Sequence, residues 1–427
     1  MKRIVLIPVI CVLIFSIAQP ARAQEQALDV YYAGPDGSVK TALHPVFGPA
    51  MGGLLGLGVA AYVMDFASFL FGWWLYRRIG YNARLLFLAH FDWGIAIQSL
   101  KYGIFLFLGG LFGGVGSFMT VTVIQPRLLN TNEIMGNLGL AGTFPYAFSV
   151  LQMLTATVLP AISESVTNGK KILGQYYAAM MYKFGGFVSG FIAAVLLAVA
   201  DRFIIGSSGQ DFQRAAIYVF PMLLIGSFNF ASLTSDVIMY AIKTRLIVIF
   251  TALDFVLGIG LTYLLIDRWQ VNALLYVPAV TLAVKAFLAY AVNHRYCFPQ
   301  RFYFWQTLGA TTLAAACHFL WLRWFTGLIW QRNEVTSILI LAFGLLASYP
   351  VYAFLYGLFG GWDDDTLAQF DRGTNLSSFM KPMARLFYHA CLLGARFSPL
   401  HGRFPISIYA AAAAEAEALT AERVKLI

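Results

Sequence analysis

The sequence predicts an all-α protein: a polytopic bundle of about nine transmembrane helices behind an N-terminal signal-like segment. Three observations carry this. Of 427 residues, 59% are hydrophobic and only 11% are charged, against roughly 25% charge in soluble domains. Several apolar runs reach the roughly 18 residues that cross a bilayer. A backbone in lipid must satisfy its own hydrogen bonds, and runs of this length do so as helices.

The chain starts with Lys2 and Arg3, continues with an apolar stretch too short for a full span, and reaches Ala21-Arg22-Ala23, a small-x-small cleavage pattern. Residues 1–23 therefore read as a signal peptide or signal anchor, and either reading places Gln24 outside. Residues 24–45 are a polar external segment holding "GPDGS" (Gly34 to Ser38), a turn signal. The transmembrane bundle is expected over 46–360. Its apolar runs are centred on 46–74, 104–124, 144–162, 184–200, 216–240, 246–265, 273–292, 304–322 and 337–359.

Loop charges set the orientation. Alternate exits carry Arg77, Arg78 and Arg84; Lys170, Lys171 and Lys183; Lys243 and Arg245; and Arg295 and Arg301. The tail carries Arg372, Lys381, Arg385, Arg396 and Arg403, whereas the opposite loops hold only scattered arginines. Basic residues collect on the cytoplasmic side, so the N-terminus is expected outside and the C-terminus inside the cell. In "LPAISESVTNGKK" (Leu159 to Lys171), Pro160 is expected to loosen a last turn. Asn168-Gly169 then breaks the helix and the lysines anchor it. Residues 77–101 read as a cytoplasmic connector with an interfacial helix, and 361–427 as a cytoplasmic amphipathic tail that ends in an Ala/Glu-rich helix.

Several function classes are disfavoured. The net charge of +9 is explained by the loops, with no basic-aromatic surface for nucleic acid. Cys11, Cys297, Cys317 and Cys391 have no metal or redox spacing. No GxSxG, HExxH or Walker lysine occurs, so neither an enzyme nor a cofactor is expected. "GGLFGGVGS" (Gly109 to Ser117) reads as small-xxx-small helix packing. The three aspartates Asp363 to Asp365 read as helix-capping residues.

Charges inside spans are costly in lipid and face a partner or a wet cavity. Asp65, Asp236, Asp254 and Lys285 fall in such runs, His318 reads as a packed imidazole, and Asp201 and Arg202 fall at a span end. Asn229 lies seven residues before Asp236, on the same helix face, with Ser232 and Ser235 nearby. The candidate substrate-binding residues are Asn229, Asp236, Asp254 and Lys285. An Asp236–Lys285 pair that only fixes helix packing is the competing reading.

Three stretches carry a resemblance. "FPYAFSVLQMLTATVLPAISESVTNGKKILGQYYAAMMYKFGGF" (Phe144 to Phe187) resembles the second lobe of oligosaccharide or polysaccharide flippases. These are the O-antigen-flippase-like members of a superfamily that also holds multidrug exporters. "FLYGLFGGWDDDTLAQFDRG" with "MKPMARLFYHACLLGARFSPLHGRFP" is similar to the tail of such proteins. "FLFGWWLYRRIGYNARLLFLAHFDW" resembles the link between lobes. The resemblance implies two helical lobes that rock between inward-open and outward-open states to translocate a lipid-linked oligosaccharide. The polytopic chain would then sit in the cell membrane, among membrane lipids, and serve surface polysaccharide synthesis. A first lobe is mostly lacking, so a second copy or a partner would supply it. A drug or ion exporter of the same superfamily and an inactive truncated fragment are the alternatives.

Overall fold

The computed structural model describes residues 31–33, 39–41, 62–78, 80, 93–376 and 380–424. These are helical except for connecting turns and one short strand pair. The chain divides into two compact units, Arg3–Lys101 and Tyr102–Ile427.

In the first unit, β1 (Tyr31–Ala33) pairs antiparallel with β2 (Val39–Thr41), placing Tyr31 opposite Thr41 and Ala33 opposite Val39. The expected turn, Gly34 to Ser38, falls between the strands and lies outside the described residues, as do the signal-like segment 1–23 and residues 46–61 of the first expected span. Residues 62–78 form α1, on which Asp65 is exposed. Near its end Arg77 lies over the Trp73 ring at 5.5 Å and Arg78 over Trp74 at 5.1 Å, the aromatic and basic composition of a membrane boundary. Most of the expected interfacial connector, 81–92, lies outside the described residues. From Trp93 onward the chain is already the next long helix, α2 (Trp93–Met119), in which the boundary between the units falls.

The second unit holds the remaining helices. They are α3 (Thr131–Ala141), α4 (Val150–Thr167), α5 (Lys171–Ser208), α6 (Ala215–Ile242), α7 (Arg245–Trp269) and α8 (Val271–Tyr296). After these come α9 (Ala310–Ile329), α10 (Glu334–Leu346), α11 (Tyr349–Leu358), α12 (Asp364–Leu376), α13 (Lys381–Phe397) and α14 (Tyr409–Val424). Among the described residues seven helical segments are long and apolar enough to cross a membrane, beginning with Ala96–Arg127 and ending with Trp305–Ile329. An eighth arises if α10 and α11, bent by 43° at their break, count as one span. The expected runs from 104–124 to 304–322 fall on the seven, and 337–359 falls on the bent pair. Pro350 explains the bend. It sits in the first turn of α11 and has no N–H to donate back to the last carbonyl of α10.

α5 is the axis of this unit. It packs against α4 and α6 on one flank and against α9 and α10 on the other. Leu151, Ile192, Leu196, Val219 and Leu223 fill the first contact; Val195, Ala198, Val199, Leu322 and Ile340 fill the second. The close approach of α5 to α9 and to the helical turn just before it (Trp305–Gly309) depends on Gly186 and Gly190. A Cβ on Gly186 would lie 2.6 Å from the Thr307 carbonyl oxygen, and one on Gly190 2.5 Å from Thr311 Cγ2. This small-xxx-small contact replaces the expected one at Gly109 to Ser117. There a Cβ on Gly110, Gly113 or Gly114 would meet nothing within 4 Å among the described residues, and one on Gly109 only Thr251 at 3.8 Å; Gly116 alone comes close, to the Phe255 side chain at 3.3 Å. The glycine spacing permits close packing, but only a facing helix creates it.

Two further expectations need correction. Pro160 does not loosen a last turn: α4 runs on to Thr167 and ends at Asn168-Gly169, where Gly169 adopts φ +74°. That break is where the sequence places it. Lys183 is not a loop anchor. α5 begins at Lys171, so Lys183 lies well inside the helix and is wholly buried. The reason is the tail, which folds back over the first turns of α5. Leu173 packs with Ala412 and Leu419 of α14, and Met180 packs with Ile406 and Ile408. The Leu173 N–H, one of the free donors at the start of a helix, donates to Glu415 Oε2 at 2.7 Å. α13 lies along α11, with Gly394 against the Phe354 carbonyl oxygen.

Candidate functional site

The site is built where α6 meets α8. α6 is apolar over most of its length but carries Ser232, Ser235 and Asp236 on consecutive turns, all buried. α8 presents Lys285 and Asn293 to it, also buried. Lys285 Nζ donates to Asp236 Oδ2 at 3.2 Å. Asn293 Nδ2 donates to the Ser235 carbonyl oxygen at 2.9 Å. Tyr182, reaching over from α5, shares a 2.9 Å hydrogen bond between its hydroxyl and Ser235 Oγ. Its ring meets Tyr290 edge-on at 6.0 Å and Phe302 at 5.6 Å. Three helices are thus tied by one polar seam in otherwise apolar surroundings.

The seam is incompletely satisfied. Asp236 Oδ1 and Ser232 Oγ are buried and have no hydrogen-bond partner among the described residues. A lysine ammonium can donate three bonds, and Lys285 spends one on Asp236. A buried ion pair recovers its desolvation cost only when its remaining lone pairs and protons are also satisfied. This centre therefore keeps unused hydrogen-bonding capacity among the described residues.

Two of the four candidate residues from the sequence are brought together: Asp236 and Lys285 pair directly. Asp254, on α7, is half-buried and close enough for its charge to act on Asp236. Asn229 is separate. It shares a helix with Asp236 but is exposed, so equal phase on the helix does not bring it to the ion pair. Tyr182 and Asn293 were not singled out from the sequence. Asn293 leaves a signal, a carboxamide at the end of an apolar run; Tyr182 leaves none, because tyrosines are common there.

A second buried pair lies where the tail meets α5. Lys183 Nζ donates to Asp363 Oδ2 at 2.7 Å and to Thr366 Oγ1 at 2.9 Å, and Gln306 Nε2 donates to the same carboxylate oxygen at 3.0 Å. Asp363 Oδ1 accepts the Thr366 N–H at 2.8 Å, capping α12 as the acidic run suggested. Burial pushes the Asp363 carboxyl up, but the Lys183 ammonium and the Thr366 bonds outweigh it and hold the group below the ordinary carboxylate value. With both carboxylate oxygens bonded and two of the lysine's three donors used, the pair reads as structural.

At the opposite end of α5, Asp201 Oδ1 accepts from Arg323 at 2.6 Å, and Arg202 bonds Thr326 and the Arg323 carbonyl oxygen. A boundary position alone does not account for these bonds, which fasten α5 to α9. His318 is a packed imidazole, buried, with Nε2 bonded to Ser348 Oγ at 3.0 Å. Among the described residues no three His, Cys, Asp or Glu side chains gather as a metal site would require.

No family model, no curated protein and no solved structure matches this chain.

Proposed function

We propose that the chain translocates a lipid-linked oligosaccharide across the cell membrane for surface polysaccharide synthesis, by alternating access and without covalent chemistry. The observation that carries this reading is the under-satisfied Lys285–Asp236 pair between α6 and α8. Charges buried in spans are rare and mark substrate pathways or relays. In this reading Lys285 attracts the pyrophosphate of the carrier and exchanges Asp236 for it, while Asp254 and Asn229 line the route to the sugar. The lipid tail stays between helices. The N-terminus is outside the cell and the C-terminus inside, as the basic loops imply. The two-lobed arrangement implied by the flippase resemblance sets a facing group of helices opposite this one, supplied by a second copy or a partner chain.

The test is translocation of a fluorescent polyprenyl-pyrophosphate oligosaccharide in proteoliposomes made with protein purified from its host membrane, so that any partner is retained. Translocation by the native chain and its loss in Lys285→Gln, with unchanged monodispersity, would support the proposal. Equal translocation by Lys285→Gln would remove the ion pair from the mechanism. A drug or ion exporter is the second reading, and the free Asp236 Oδ1 favours it by offering an acceptor to a cation. Uptake of a cationic dye that is indifferent to the lipid-linked sugar would select it.

A further inference from the structure

α13 has three faces. Cys391, Gly394 and Ala395 are buried against α11, half of the bent spanning pair. A second arc, beside it on the helical wheel, carries Met383, Leu386, Leu393 and Phe397, all exposed; Leu386 is 55% and Phe397 68% accessible. A third and narrower arc carries Arg385, His389 and Arg396, also exposed. The surrounding sequence has one sign of charge: between Asp371 and Glu415 there are five Lys or Arg residues and no Asp or Glu. Among the described residues none of those five makes an ion pair, whereas Lys170, Lys183, Lys285 and Arg323 elsewhere in the unit do.

We propose that α13 is an anionic-lipid-binding helix. Its apolar arc lies in the acyl boundary of the leaflet that α11 enters, and Arg385 and Arg396 bind the phosphates of acidic phospholipids. The argument has three parts. Four large apolar side chains in a row would be costly in water but are the composition of a helix lying at a membrane surface. The unpaired basic arc complements a negative headgroup layer and falls at the edge of the apolar arc, where long side chains reach the interface. The buried face is continuous with a membrane-spanning segment, which holds α13 at the bilayer. None of this depends on what the bundle carries.

The experiment uses the full chain in nanodiscs of phosphatidylcholine and phosphatidylglycerol, with a diazirine on the acyl chain of one lipid or the other. Cross-linked peptides are mapped by mass spectrometry. Adducts on 383–397 are expected from both lipids, with phosphatidylglycerol strongly preferred. Each arginine replaced in Arg385→Gln and Arg396→Gln should reduce that preference about fivefold, while Arg385→Lys with Arg396→Lys should retain it. Adducts on α6 to α8 should stay unchanged in every variant, which controls for folding. Absence of α13 adducts, or equal adducts from the two lipids, would overturn the proposal.

Discussion

Lys183 and Asp363 are 180 residues apart in sequence, yet their charged atoms lie 2.7 Å apart with the lysine wholly buried. The pair fastens the start of the tail to the central helix. The carboxylate also accepts from Gln306 and the Thr366 N–H, so three separate parts of the chain are bonded to one group. Losing one partner would leave a buried charge exposed to no water. Asp363→Asn and Lys183→Met are each expected to cost about 3–5 kcal/mol, read as a fall in thermal stability in detergent by fluorescence-detected size exclusion. The double variant should recover part of that loss. Wild-type stability in either single variant would show that the pair is not what docks the tail.

The same carboxylate sets a pH dependence. Its folded value is held below the ordinary 3.8, so ionised Asp363 favours the folded state. That stabilisation is complete above the ordinary value and is lost as pH falls through the lower folded value. Tail docking, followed by proteolysis of the 361–427 region, should therefore hold from about pH 7 to about pH 5 and weaken progressively below about pH 4. Asp363→Asn should flatten this part of the profile; an unchanged acid sensitivity would assign it to other groups.

The Lys285–Asp236 pair should behave differently. Lys285→Met alone leaves a buried carboxylate and is expected to lower stability by about 3 kcal/mol or more. Lys285→Met with Asp236→Leu should restore folding, because similar-sized apolar residues often replace a buried pair without loss. Under the proposed function it should not restore translocation. Active double variants would reduce the pair to a packing device.

At the start of α5, Glu415 and Glu422 reach the same helix end with different expected effects. Glu415 accepts the Leu173 backbone N–H, a half-buried contact, whereas Glu422 pairs with Lys170 at the surface. Glu415→Ala should cost about 1 kcal/mol and raise hydrogen exchange at 171–175. Glu422→Ala should change it little, since exposed pairs contribute about 0–1 kcal/mol. Equal effects would mean that charge, not capping, matters there.

Gly394 meets the Phe354 carbonyl oxygen too closely for any side chain. Gly394→Ala should force α13 off α11 at a cost of about 1–3 kcal/mol, seen as faster cleavage between 376 and 381. The same substitution at Gly113, which meets nothing within 4 Å among the described residues, is the control and should be silent.

Much of the bundle was legible because the bilayer writes its thickness into the sequence as run length. Asp236 and Lys285 were legible as single charges inside those runs, and pairing was one of the two readings they allowed. The Lys183–Asp363 pair was not. Lys183 stands beside a run boundary, where a basic residue has an ordinary topological explanation, and nothing local reports that 12 residues of α5 precede it as a covered helix. Asp363 looked like a cap and is one, which hid its second role. Asn229 shares the helical phase of Asp236 but not its burial: burial along one face changes with the neighbour, and among the described residues none covers Asn229.

α5 has 38 residues, about 57 Å of helix, whereas a bilayer core needs about 30 Å. The Lys171 end of this helix is held by α12 and α14, so the tail grips a helix longer than a bilayer core requires. A tilt of about 10° within the membrane would swing the tip of a roughly 27 Å arm by about 5 Å. Any tilt of this helix must therefore carry the tail with it, and a label on α14 would register it from outside the bundle.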